Sequence, residues 1–226
     1  MPFIRSLFVL AGAATLAASV IGSLEAQPRA ELGFTTAVSD RLIDAYGRRF
    51  GAPAAERLQA WKLYARTRGA APGTERDLLD EVNRVLNRIA FVDDAAHWGE
   101  EDYWATPAES VASNGADCED YTIAKYFQLK ELGVPIAKLR LTYVKSVKLN
   151  QAHMVLAYYP RPDAEPLVLD NLEDRVRPAS QRGDLTPVYS FNDEEVWVEL
   201  RGRSGSPTQI RNWSALIARL ERERRT

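Results

Sequence analysis

An α+β domain is the fold class this sequence predicts, on three observations. Helical periodicity fills the first part of the chain, from Thr35 to about Ala90. Strand alternation fills the second part, from Leu139 onward, and the two meet at a glycine turn that runs into a helix, Asn114-Gly-Ala-Asp-Cys-Glu-Asp-Tyr121. Helices first and an antiparallel sheet second is the α+β pattern. The 226 residues suit one domain, or one domain with an extension, and the net charge of -2 leaves no footprint for nucleic acid. With one cysteine an intramolecular disulfide is excluded, and with only His97 and His153 beside it a Cys/His zinc site is not expected. A metal, if present, is expected to be hard and oxygen-bound.

The elements follow in order. After Arg5, residues 6–22 form an uncharged apolar run with small residues toward its end, which predicts a secretory signal peptide over 1–26. Cleavage after Ala26 would put Leu24, not a small residue, three positions back, so an uncleaved membrane anchor fits the same segment. Either way the chain is expected to leave the cytoplasm for the periplasm, as a single domain over 27–226 with a linker at 27–34. Leu42, Ile43, Tyr46 and Phe50 mark one helix face; Leu58, Trp61, Leu63 and Tyr64 populate a second helix. A third opens at Thr74-Glu-Arg-Asp77, a capping-box-like start, and carries Leu78, Leu79, Val82, Val85, Leu86 and Ile89. These stripes are expected to be core. Residues 91–107 show no period but are rich in aromatic and acidic groups; Trp98, Tyr103 and Trp104 either pack a loop or line a groove. A short helix is expected at Pro107, after Thr106.

From Asp120 the pattern is helical to Leu132, stopped by Gly133 and Pro135, with Asp117 placed to cap it. Strands are expected over 139–145, 153–159, 167–170, 187–191 and 195–200. The tail, Ile210–Arg225, reads as a basic amphipathic helix, expected to be a solvated terminal helix, with partner binding as the second reading.

The only cysteine, Cys118, falls in the first turn of the helix after the glycine turn, where unpaired N–H groups and the helix dipole favour a thiolate. A lone cysteine can also be a small buried hydrophobe. Thiol acyl-transfer chemistry needs an imidazole to take the proton and an acceptor to orient that imidazole. The chain offers His153 at the start of one strand and Asp170 at the end of the next. Helix start, strand and adjacent strand is the papain-like and transglutaminase-like layout; an unrelated core histidine is the alternative. Asp117, Glu119 and Asp120 repel one another unless solvated or bound to a cation, and Ca²⁺ takes six to eight oxygens. Acids beside a thiol raise its pKa against the dipole, a penalty that a bound cation would cancel.

Five stretches together carry a family likeness: Trp98-Gly-x-x-Asp-Tyr-Trp-Ala-Thr-Pro107, Gly115-Ala-Asp-Cys-Glu-Asp-Tyr121, Leu141-Thr-Tyr-Val-Lys145, Asn150-Gln-Ala-His-Met-Val-Leu-Ala-Tyr-Tyr159 and Leu167-Val-Leu-Asp-Asn-Leu172. In order and spacing, from about Ala90 to Phe191, the chain resembles the bacterial transglutaminase-like cysteine proteinases. The resemblance implies Cys118 as nucleophile, His153 as base and Asp170 as its orienter. It implies Ca²⁺ as cofactor beside the cysteine, on Asp117 and Glu119, with Asp120 joining them. It also implies an exported cysteine endopeptidase that cuts the N-terminal region of a large surface adhesin at a pair of alanines, releasing cells from a biofilm. An inner-membrane cyclic di-GMP receptor is the implied inhibitory partner. A transglutaminase-type acyltransferase shares the same three residues, and a non-enzymatic calcium-binding envelope module is the third reading.

Overall fold

The computed structural model describes residues 38–226, apart from 72, 199–201 and 204. The apolar run at 6–22, the linker at 27–34 and the end of the strand expected over 195–200 lie outside the described residues. No helix among the described residues is long and apolar enough to cross a membrane.

Three helices come first among the described residues. In α1 (Asp40–Phe50), Ser39 caps the start by accepting the Leu42 N–H at 3.0 Å, and Leu42, Ile43 and Tyr46 are buried. Gly51, at φ 89°, turns the chain sharply into α2 (Ala52–Gly69), which buries Ala54, Leu58, Trp61 and Ala65. Leu63, expected in that stripe, is 61% exposed. It stands two residues from Trp61, on the far side of a helix that turns about 100° per residue. In α3 (Glu75–Leu86) the capping box forms as the sequence suggests, with Thr74 and Asp77 exchanging bonds.

The aperiodic stretch then folds back over the body. It contains β1 (Ala90–Phe91) and the single turn α4 (Asp94–His97), and ends at α5 (Pro107–Ser113). α5 has its own capping box, Thr106 with Glu109, and Pro107 in its first turn. Trp98 and Tyr103 pack at 4.9 Å with their rings tilted, and Trp104 is buried against Phe191, so the aromatics pack the loop down. Asn114 ends α5 in the left-handed conformation (φ 56°). β2 (Gly115–Ala116) then pairs in parallel with β1, which fixes where the next helix starts.

That helix, α6 (Cys118–Glu131), is the axis of the fold: every residue from Asp120 to Leu129 is buried. A helix buried on all sides must be covered all round. It contacts α2, α3 and α5 on one side and β3 (Leu139–Ser146), β4 (Gln151–Tyr158) and β5 (Leu167–Asp170) on the other. The remaining strands are β6 (Glu173–Pro178), β7 (Leu185–Phe191), β8 (Val196–Val198) and β9 (Gly202–Arg203). The sheet order is β6-β5-β4-β3-β7-β8-β9, with antiparallel neighbours throughout. The sequence reading missed β6, whose Glu-Asp-Arg-Val-Arg-Pro run buries only Val176 and sits at a sheet edge.

Alternation divides the sheet. Met154, Leu156 and Leu169 face α6 in the main core, with Ile123, Leu129, Leu141 and Phe191. Val144, Val155 and Val168 form a smaller cluster on the other face, beside a cavity of about 450 Å³. The final helix, α7 (Arg211–Arg225), corrects the expectation of a solvated tail. Trp213, Leu216 and Leu220 are buried in the main core, and the Trp213 ring stacks on Phe127 at 5.8 Å. The amphipathic stripe was visible in sequence; the surface that receives it was not.

Candidate active site

Cys118 owes its place to the junction just described. Gly115 lets the chain pass under His97: a Cβ there would lie 2.5 Å from the imidazole Cε1, closer than any side chain tolerates. Asp117 occupies the N-cap position of α6 but makes no side-chain cap bond, contrary to expectation. Its carboxylate turns instead toward other acids. One oxygen from each of Asp94, Asp117 and Glu119 lies within 4.8 Å of the other two. Asp120 stands behind them, fully buried, with Oδ1 accepting the Ala105 N–H at 2.6 Å. Asp94 Oδ1, Asp117 Oδ1 and Asp120 Oδ2 are buried oxygens with no hydrogen-bond partner among the described residues.

The electrostatics are those of carboxylates lacking a counter-charge. Burial, and then the neighbouring acids, push Asp94 up to about 6 and raise Asp117 and Asp120 well above the carboxylate range. The Cys118 thiol is raised as well, first by burial and then by Glu119, whose Oε2 accepts the S–H at 3.0 Å. Orphaned oxygens and an all-oxygen donor set fit a hard divalent cation of the calcium type. Asp94, Asp117 and Glu119 are the residues placed to hold it, with Asp120 adjoining. Asp94 was not singled out in sequence, because it lies in the aperiodic acidic stretch where every carboxylate looks alike.

The second half of the site comes from the sheet. β4 and β5 pair Leu156 with Leu169 and Ala157 with Val168. Continuing that register sets Asp170 opposite Val155, which makes His153 its diagonal neighbour on the same face. The side chains meet: His153 Nε2 lies 2.8 Å from Asp170 Oδ1, with both residues buried. Asp170 also accepts from the Leu172 N–H (3.1 Å) and from Arg182 Nη2 (2.7 Å). Despite its burial, the bonds from His153 hold it well below the usual carboxylate range, aided by Leu172 and Arg182. α6 is tied to β4 close by: Thr122 Oγ1 donates to the Met154 carbonyl at 3.0 Å. The Met154 backbone acts on the Cys118 thiol in the lowering direction, so the thiol lies near the residue that follows His153. Because Asp170 engages Nε2, Nδ1 is the imidazole nitrogen left for proton exchange.

His97 is built differently. Its Nε2 meets Ser113 Oγ at 2.9 Å, its ring packs edge-on to Trp98 at 4.3 Å, and no carboxylate is seen to bond it among the described residues. It braces the turn before Cys118.

A half-buried thiol at a helix start, an acid cluster beside it and a His–Asp pair on adjoining strands are the parts that thiol hydrolysis calls for. The chain belongs to the bacterial transglutaminase-like cysteine proteinase (BTLCP) family, whose model matches residues 63–204. Among solved structures it is similar to LapG of Legionella pneumophila in its EGTA-treated form, at 38% identity and a TM-score of 0.71, covering 81% of this chain and 98% of that one. Calcium-bound LapG from the same organism matches at 39% identity and a TM-score of 0.68, covering 81% and 99%. A comparison with curated proteins finds none that matches significantly.

Proposed function

We propose that this protein is an exported, calcium-dependent cysteine endopeptidase of the periplasm. Cys118 would be its nucleophile, His153 its general base and Asp170 the acceptor that orients the base. The observation that carries the reading is the 2.8 Å His153–Asp170 pair on the strands against which the start of the Cys118 helix packs. With Nε2–H given to Asp170, the His153 Nδ1 takes the proton of the Cys118 thiol as the sulfur attacks the scissile carbonyl. The same imidazolium then protonates the departing amine, leaving a thioester on Cys118. Water, deprotonated by His153, hydrolyses the thioester and restores the thiol. Asp94, Asp117 and Glu119, with Asp120, would hold Ca²⁺, which supplies positive charge where the carboxylates now disfavour a thiolate. That LapG has been solved with calcium and after EGTA supports this assignment.

By family likeness, the substrate is the N-terminal region of a large surface adhesin, cut at a pair of alanines to promote biofilm dispersal. An inner-membrane receptor for cyclic di-GMP would restrain the enzyme. The test is to incubate the protein with the N-terminal region of a large adhesin encoded nearby, in Ca²⁺ and in EGTA, and to identify the products by mass spectrometry. Hydrolysis in Ca²⁺ alone is expected. Glutamine–amine cross-links in place of hydrolysis would make it a transglutaminase, and no reaction in either condition would leave a calcium-binding module.

A further inference from the structure

Asp170 is more than the partner of His153, because something must hold Asp170. Its carboxylate is 1% exposed and carries charge in an interior that penalises charge. Oδ1 is shared by His153 Nε2 and the Leu172 N–H, at 2.8 and 3.1 Å. The bond shown for Oδ2 is to Arg182 Nη2 at 2.7 Å. The backbone is fixed too, since Asn87 Nδ2 donates to the Asp170 carbonyl at 3.0 Å.

Arg182 is itself held from the far side. It is 7% exposed, and Asp184 accepts from its Nε and Nη2 through separate oxygens, each at 3.1 Å. Nη2 is thus shared between the two carboxylates. The segment that carries Arg182 is tied down by the Leu185 N–H to the Arg182 carbonyl (3.0 Å) and by the Val147 N–H to the Asp184 carbonyl (2.8 Å). The result is one chain of charge-assisted bonds, half-buried at Asp184 and buried from Arg182 inward: Asp184, Arg182, Asp170, His153.

We propose that Arg182, anchored by Asp184, is a positioning residue for the candidate triad, holding Asp170 so that Asp170 can hold the His153 ring. This rests on the reading of His153 and Asp170 as base and orienter. The physical reason is geometric and electrostatic at once. A carboxylate fixed at one oxygen only can swing, and one stripped of its cation seeks a proton or water. Either change loosens the Nε2–H bond and lets the ring leave the thiol. Arginine suits the task because its planar fork reaches two carboxylates at set angles, which an ammonium cannot reproduce.

The test compares wild type with Arg182→Met, Arg182→Lys and Asp184→Asn, all in Ca²⁺. The spectroscopic readout is the His153 ring N–H proton by NMR, assigned by its loss in His153→Gln; the kinetic readout is kcat against KM on a cleavable adhesin fragment. Wild type should show a protected ring proton. In Arg182→Met it should broaden into exchange with water, while kcat falls on the order of tenfold to a hundredfold and KM stays within about twofold. Arg182→Lys should lie between the two, and Asp184→Asn should move both readouts the same way by less. A folded Arg182→Met with an unchanged ring proton and unchanged kcat overturns the proposal. If Arg182→Met does not fold, unchanged readouts in both Arg182→Lys and Asp184→Asn overturn it. If wild type cleaves nothing, the protease reading fails, and the ring proton alone decides for or against Arg182.

Discussion

His153 and His97 are the chain's two imidazoles, and their partners set them apart. His153 faces a buried carboxylate; His97 faces a hydroxyl and an indole edge. His153→Ala should therefore remove most of the cleavage rate. Asp170→Asn should cost on the order of a hundredfold or more, by freeing the ring and withdrawing support from the imidazolium. His97→Ala should lower the melting temperature and leave kcat within a few fold; if it is the more damaging change, the base has been assigned wrongly. Asp94→Ala should reproduce the loss seen with Asp117→Ala or Glu119→Ala, and excess Ca²⁺ should rescue all three only in part. Cys118 and Asp170 could be singled out in sequence because they stand at the start of α6 and the end of β5; His153, expected to open its strand, is the third residue of β4. Asp94 and Arg182 could not, since both lie in polar, aperiodic stretches and matter only through neighbours brought from elsewhere.

At the scale of elements, α7 carries more than its basic composition suggests. Trp213 is 3% exposed and contacts Tyr126, Phe127 and Phe191. Trp213→Ala should destabilise the fold by ~3–5 kcal/mol in a denaturant titration. The same helix buries Glu223, whose Oε1 accepts from Tyr46 Oη (2.5 Å) and Thr106 Oγ1 (2.6 Å), joining α7 to α1 and to the cap of α5. Burial, helped by the charge of Glu109, raises Glu223 to about 7 from an ordinary 4.5. The folded state then holds this proton more tightly than the unfolded chain. Its contribution is complete below about 4.5 and is lost as pH rises through about 7. Melting temperatures of Glu223→Gln should fall less between pH 5 and pH 8 than those of wild type; parallel curves would show that Glu223 does not carry that proton. α1, α3 and the central strands follow their sequence periods, whereas α2 turns Leu63 outward and the cysteine helix is buried all round. β6 follows none, because an edge strand with one buried side chain has almost no period to read.

Across the whole molecule, one claim connects the parts. The turn before α6 and the stretch 91–107 together set acids around Cys118, and strands that pack against α6 carry the bonded pair His153 and Asp170. Added Ca²⁺ should raise the wild-type melting temperature, since a ligand of the native state alone stabilises it, and Asp117→Ala should show little shift. The most direct test is intact-mass spectrometry of the protein acid-quenched during turnover of an adhesin fragment. In Ca²⁺, the mass of the N-terminal cleavage product should appear as a thioester on Cys118. It should be absent in EGTA and in Cys118→Ala, which should also cleave nothing. Cleavage that continues in Cys118→Ala, with no thioester on the wild-type protein, would contradict the account.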